Sequence, residues 1–486
     1  CRTKLNSVMG ELWLDKANEG HYRQVNSKLA ILIPFIGMFL TVWTNTSIKI
    51  MLPDIMNEFQ VQVNWLAWLV NTYSLPYAIL MPLAGKLGDT FGAKRYFIAG
   101  LFALSLGSIV IFASTTFAVV LTGRLLQGIG AAFVYTNGLI IVLEMVLKSG
   151  KGSILGLWSG SAAAGGVAGP VIAGFLLELT HWRNVFLFVA LLVVLLLVAT
   201  CLVVREKATV RADAFDVMGS VTLVSGITIL LLSISISPDK GFLNTTVLVM
   251  GFLGFFMLYV FYHIEKTSHA PMIQISLFKN RVFTVSMVCG FITNFTIAGT
   301  IFIMPIFLEV VQGYSPSKVA LLLTPVAFSA AIIGPFSGWV SDRLGFVLPV
   351  GAGMLLRGFS FVFLGFLTPT TPYTLVSLYL LINGIGLGLN TAPILNAALS
   401  VSKVGDYGIT AGAYSMAQYV GGAVGVSISS VIMYKGYVNV VLDSLTGPVP
   451  GFCDAFLLLA VLSGAGLMAS LFLRPQKPVS RLQGKT

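Results

Sequence analysis

Runs of twenty or more apolar residues recur along almost the whole of this 486-residue chain. A run of that length is what an α-helix needs to cross the hydrocarbon core of a bilayer, so the chain is constrained first by lipid. Fourteen segments separate: about Ile31–Pro53, Asn64–Lys86, Tyr96–Thr115, Phe117–Leu143, Gly152–Leu176 and Asn184–Val204; then Val217–Ser237 and Phe242–Ile264; then Phe283–Leu308, Lys318–Val340, Leu348–Leu367, Tyr373–Ser400, Tyr407–Met433 and Cys453–Leu473. A transmembrane β-barrel is excluded, because its strands alternate apolar and polar residues over about ten positions. Only 10% of residues are charged and 56% are hydrophobic, whereas a soluble domain is about one-quarter charged. The fold class expected is an all-α polytopic membrane protein, not a water-soluble enzyme. The first segment is longer than the apolar region of a secretory signal and is followed by no small-residue cleavage site, so it reads as a span.

The few charges carry orientation. Cytoplasmic loops of membrane proteins hold an excess of Lys and Arg. With both termini cytoplasmic, that side collects the basic residues of the N-terminal tail, Lys86 to Arg95, Lys148, Lys151, Arg205 to Arg211, Lys266 to Arg281, Arg343, Lys403 and the C-terminal tail. The other side holds only Arg183, Lys240, Lys318 and Lys435, and three cations fall within spans: Lys49, Arg124 and Arg357. The net charge of +11 is thus an orientation signal rather than a nucleic-acid footprint. Cys1, Cys201, Cys289 and Cys453 lie far apart, without a C-x-x-C pair or clustered histidines, so neither a metal site nor a disulfide framework is expected. In the N-terminal tail, Leu5, Val8, Met9, Leu12 and Trp13 have helical spacing suited to a membrane surface.

An internal repeat organises the spans. Pro53 to Gly92 and Pro305 to Gly345 share one punctuation: a helix ending near a proline, a short polar loop, a helix, then a glycine–aspartate turn. Repeated bundles are the signature of secondary transporters. The division expected is a cytoplasmic tail (1–28), a six-helix bundle (29–204), a linker with two inserted helices (205–282), a second six-helix bundle (283–473) and a cytoplasmic tail (474–486).

Between the second and third segments the chain reads Gly85-Lys86-Leu87-Gly88-Asp89-Thr90-Phe91-Gly92-Ala93-Lys94-Arg95. Glycines permit a tight turn, Asp89 can accept hydrogen bonds from a helix N-terminus or pair with a cation, and Lys94 and Arg95 anchor the inner face. Such a contact can latch two bundles together and break when they rock. A partial copy, Gly338-Trp339-Val340-Ser341-Asp342-Arg343-Leu344-Gly345, stands at the matching place of the second half. In the fourth segment, Gly123-Arg124-Leu125-Leu126-Gln127-Gly128 puts a permanent cation inside a span, a costly placement that marks function. In the fifth, Gly156, Gly165, Gly169-Pro170 and Ala173-Gly174 let another helix approach closely, and Pro170 bends the span.

These three segments resemble the signature loop, the buried-arginine motif and the antiporter motif of the major facilitator superfamily. The fourteen spans, the inserted pair, His181-Trp182-Arg183, and Leu277-Phe278-Lys279-Asn280-Arg281 are similar to its fourteen-helix drug:proton antiporters, whose members include multidrug, quaternary ammonium and tetracycline exporters. The resemblance implies proton-coupled efflux of amphiphilic organic compounds by alternating access across the plasma membrane. It implies a coupling role for Arg124 and conformational roles for Gly85, Asp89, Gly92, Lys94, Arg95, Gln127, Gly165, Gly169, Pro170, Gly174, Asp342 and Arg343. The chain departs from the family in the first segment, where Thr44 replaces a frequent acid and Lys49 a usual asparagine.

An antiporter needs a group that gives up a proton when substrate binds. Glu309 and Glu144 are the candidates, since the other acids lie at outer ends or in loops. A midplane substrate cavity is expected from Trp43 and Tyr73 in the first bundle and from Asn294, Asn383, Asn390, Tyr414 and Gln418 in the second. Trp65 and Trp68 suit an interfacial belt. Partners expected are the bilayer, a small organic molecule and protons, with the chain acting as a monomer. The proton gradient is the energy source and no cofactor is expected, as no Walker, dinucleotide or catalytic-triad pattern occurs. The alternative is a permease for one metabolite, working by symport, uniport or uptake.

Overall fold

The computed structural model describes residues 27–61, 63–145, 151–204, 216–241, 243–268, 271, 273, 275–402, 406–440 and 449–473. The N-terminal positions with helical spacing (Leu5 to Trp13), Lys148, Lys403, residues 205–215 and the C-terminal tail lie outside them, as do the side chains of Trp65 and Lys435. Fourteen long helices follow one another. The first six are α1 (Ser27–Phe59), α2 (Val63–Phe91), α3 (Ala93–Phe112), α4 (Phe117–Met145), α5 (Lys151–Leu179) and α6 (Trp182–Val203). Then come α7 (Val217–Lys240) and α8 (Thr245–Thr267), and a single helical turn at Ser276–Lys279. The last six are α9 (Arg281–Ile306), α10 (Pro316–Leu344), α11 (Val347–Gly365), α12 (Tyr373–Ser400), α13 (Tyr407–Val440) and α14 (Pro450–Ser470). Thirteen of them are long and apolar enough to cross a membrane, α2 being the exception among the described residues.

Helices α1 to α6 pack as one bundle and α9 to α14 as another, while α7 pairs with α8 and leans on both α2 and α13. Asn71 on α2 donates to the Ser235 hydroxyl at 2.8 Å, and Ser427 on α13 donates to the Ile234 carbonyl at 3.1 Å, so α7 covers one seam between the bundles. The bundles meet through two equivalent pairs, α2 with α13 and α5 with α10, as the sequence repeat requires. Large apolar side chains cover the outside: Leu202 and Phe252 are about three-quarters exposed (77% and 75%), a surface that only lipid solvates well.

Two boundaries differ from the sequence reading for a physical reason. The Gly85–Asp89 segment is not a turn: α2 runs through it as helix to Phe91, and the chain reverses at Gly92, whose φ of +103° a side chain would strain. Its counterpart Gly345, with φ +81°, ends α10 in the same way. Nor does proline end the first helix of each half. Helix α1 continues past Pro53 to Phe59, and α9 passes Pro305 and runs into a π-helical turn at Phe307–Val311.

Candidate functional site

At one end of the molecule the two bundles are held by two carboxylates, each set on the first turn of a helix from the opposite bundle. Asp89 on α2 accepts the backbone N–H groups of Gly408 (3.1 Å) and Ile409 (2.9 Å) at the start of α13. Asp342 on α10 accepts those of Gly152 (2.8 Å) and Ser153 (3.0 Å) at the start of α5, and the Ser153 hydroxyl at 3.3 Å. The first N–H groups of a helix have no partner within it and carry the positive end of its dipole, so each carboxylate meets both a donor pair and a favourable field. Of the two partners the sequence allowed for Asp89, the structure selects the helix N-terminus.

Glycine makes the approach close enough. A Cβ on Gly85 would collide with the Gly408 carbonyl, and one on Gly338 with the Gly152 carbonyl. One turn further along, Gly412 meets Met81 and Pro82, while Gly156 meets Gly334 and Pro335. The glycines that read locally as turn formers are therefore contact points between backbones of opposite bundles.

Supporting contacts fix the same end. Lys151 donates to the Tyr407 hydroxyl at 2.6 Å and sits 4.6 Å from that ring's centroid. Asn396 donates to Ser341 Oγ and to Asp342 Oδ1 at 3.1 and 3.3 Å. Asn137 on α4 donates to the Ala84 carbonyl of α2 at 3.2 Å. Sequence reasoning missed these three. Lys86 reaches the Pro271 carbonyl in the linker (3.0 Å), and Lys94 ties the start of α3 to the Cys201 carbonyl at the end of α6 (3.2 Å). Arg95 is exposed, and Arg343 lies 4.3 Å from the Trp339 ring.

Arg124 is wholly buried, and every partner it has is neutral. Its Nε donates to the Leu69 carbonyl (2.9 Å), Nη1 to the Thr44 carbonyl (3.3 Å) and Gln127 Oε1 (3.0 Å), and Nη2 to Asn45 Oδ1 (3.4 Å). The guanidinium carbon lies 4.5 Å from the Tyr73 ring centroid, and Tyr73 is held by its hydroxyl's bond to the Thr41 carbonyl. Gln127 in turn donates to Ser108. The cation thus ties α1, α2, α3 and α4 together. Glycines of α5 serve the same bundle: a Cβ on Gly165 would press on the Phe39 carbonyl and one on Gly169 on Thr46, whereas Gly174 faces open space, four residues beyond Pro170.

Beyond the glycine crossings, on the side away from the latches, lies a cavity of about 350 Å³ walled by both bundles. Its first-bundle wall includes Met38, Val42, Tyr77, Tyr135 and Trp158; its second-bundle wall includes Asn294, Thr391, Tyr414, Gln418 and Tyr419. The Tyr77 and Tyr419 rings meet edge to face at 4.9 Å across the gap, and Gln418 donates to the Tyr414 hydroxyl at 2.9 Å. A space of this size, apolar and aromatic with a few amides, suits an amphiphilic organic molecule. Of the expected lining residues, Asn294, Tyr414 and Gln418 are brought to it. Tyr73 packs behind the wall under Arg124, and Trp43 is buried against Phe39 and Phe188. Asn383 and Asn390 are fully buried inside the second bundle. Glu309, in the π-helical turn after α9, and Glu144, in the last turn of α4, are both exposed at helix ends and are not among the cavity's lining residues.

The end opposite the latches is organised within a single bundle. Glu58 at the end of α1 pairs with Arg183 (2.5 Å), accepts from Trp182 Nε1 (2.7 Å) and lies 3.4 Å from His181, while Arg183 also donates to the Ser114 carbonyl.

The sequence profile of the Major Facilitator Superfamily matches residues 34–426. A multidrug resistance protein of Mycobacterium tuberculosis, Stp, is 27% identical over 83% of this chain and 75% of its own length. The riboflavin transporter RibZ of Clostridioides difficile is 27% identical over 75% of this chain and 79% of its own. Among solved structures, the human organic anion transporter MFSD10 (TETRAN) superposes with a TM-score of 0.67 at 16% identity, covering 93% of this chain and all of that one. With its fold, its paired bundles and this match over most of its length, the chain belongs to the Major Facilitator Superfamily: it is a multi-pass membrane transporter and not an enzyme.

Proposed function

We propose that this transporter is a proton-coupled exporter of amphiphilic organic compounds in the plasma membrane, working as a monomer by alternating access with both termini cytoplasmic. One observation carries the reading: two equivalent carboxylate latches close one end of the bundle interface while an aromatic cavity lies beyond the seal. Taking the latch end as cytoplasmic, the conformation is the outward-facing one. Return to the inward-facing form breaks both latches, and the proton gradient drives the cycle. Glu309 and Glu144 remain the proposed proton carriers. The export direction is supported by the α5 glycine–proline pattern and by the multidrug-resistance relatives. The riboflavin transporter among those relatives favours a second reading, a permease for one metabolite.

Inverted membrane vesicles test the proposal by dye efflux and pH quenching in the same preparation. Substrate addition is expected to dissipate an imposed proton gradient in the wild type and not in Asp89→Asn. Dye transport that leaves the gradient untouched would remove proton antiport; transport of a single metabolite with no dye transport would favour the permease.

A further inference from the structure

The spans hold cations without anions. Among the described residues, the carboxylates sit within about two turns of a helix end, whereas Lys49 and Arg357 lie further than that from either end of α1 and α11, and Arg124 is wholly buried in α4. Arg124 is satisfied by neutral oxygens alone. Arg357, fully buried in the second bundle, donates only through Nη2, to the Thr293 carbonyl and the Thr296 hydroxyl; its Nε and Nη1 meet no protein acceptor. In a low-dielectric interior such charges sum to a positive potential over the space between the bundles.

Lys49 is the cation placed to use it. Helical periodicity sets it on the same face of α1 as the cavity-lining Met38 and Val42, one turn beyond Asn45, which itself accepts from Arg124. Its side chain is exposed, and both ion pairs among the described residues belong to Glu58, not to Lys49. Asp54, five residues on, points from the opposite face of the helix.

We infer that the cavity takes amphiphilic organic anions, an aromatic or apolar body bearing a carboxylate or sulfonate, with Lys49 as the group that meets the anionic head. The inference rests on the exporter reading for its setting and sharpens it: the aromatic wall holds the body, and the uncompensated positive field selects the sign of the head. Organic cations, the substrates of the drug exporters that the motifs resemble, would meet repulsion at the same point.

The test is equilibrium binding to the purified full-length chain, read by fluorescence anisotropy at fixed pH with two xanthene dyes of similar size: fluorescein, an anion, and rhodamine 6G, a cation. Fluorescein is expected to bind at least about tenfold more tightly, the difference one desolvated charge contact supplies. Lys49→Arg should keep that preference, Lys49→Gln should remove it, and Lys49→Glu should reverse it toward rhodamine 6G. Arg tests charge without a change of sign, so a fold defect in one variant does not hide the answer. Equal binding of both dyes, absence of fluorescein binding in the wild type, or a preference unaltered in Lys49→Gln overturns the inference. Fluorescein binding that survives while vesicle efflux fails would count against export alone.

Discussion

The two latches share a geometry and differ in their surroundings. Asp89 is buried, 8% exposed, accepts two backbone N–H groups of α13 as its hydrogen bonds among the described residues, and lies at the seam that α7 and the linker contact Lys86–Pro271 cover. Asp342 is exposed and has additional side-chain donors in Ser153 and Asn396. A buried carboxylate has nothing to replace its partners when they leave, because water cannot reach it without the seam opening; an exposed one trades its N–H groups for water at little cost. The repeat therefore built two similar clasps, of which the Asp89 clasp is expected to couple tightly to closure and the Asp342 clasp loosely.

Sterics should give the largest effect. Gly85→Leu and Gly338→Leu place side chains where carbonyls of the other bundle now stand, so neither variant can close the latch end. Vesicle transport is expected to fall at least about a hundredfold in each, the size that several kcal/mol of overpacking implies, with normal membrane expression.

Charge removal then separates the two clasps. Asp89→Asn should cost about 2 kcal/mol of latched state, a roughly thirtyfold shift, whereas Asp342→Asn should cost at most about 1 kcal/mol, roughly threefold to fivefold. Equal losses in the two variants would break the contrast. Salt sharpens it: raising ionic strength from ~0.05 to ~0.5 M should weaken the exposed Asp342 clasp and leave the buried Asp89 clasp unchanged, because screening needs solvent access. The residual difference between wild type and Asp342→Asn should therefore shrink with salt.

The smallest effect belongs to Lys151→Met, which removes the hydrogen bond and ring contact to Tyr407 but neither carboxylate. About 0.5–1 kcal/mol is at stake, so transport should change by roughly twofold to fivefold, and a loss matching that of Asp89→Asn would shift the weight of closure away from the carboxylates.

Much of this is legible in the sequence. Apolar runs of membrane-spanning length give the fourteen helices, and the repeated Gly-x-x-x-Asp pattern at Gly85–Asp89 and Gly338–Asp342 marks both latches. What could not be read was the purpose of the glycines. Locally Gly85 and Gly88 are turn signals, yet α2 continues through them because their missing Cβ atoms are used by Gly408 and Asn137. Nor does any local pattern connect Asp89 to an amide some 319 residues later. The cavity shows the same limit. Asn294 and Gln418 face it, while the chemically similar Asn383 and Asn390 point into the second bundle, a choice set by helix rotation in packing rather than by residue type.

Asp89 is expected to hold the latch end closed and to release it during transport. Electron–electron resonance distances between spin labels at Met145 and Leu344, exposed positions at the latch end of α4 and α10, test it most directly in a background lacking the native cysteines. The wild type should show a dominant short-distance population, and Asp89→Asn a dominant longer one, with Asp342→Asn between them. An unchanged distance distribution in Asp89→Asn, alongside lost transport, would mean that Asp89 does not hold the latch end closed.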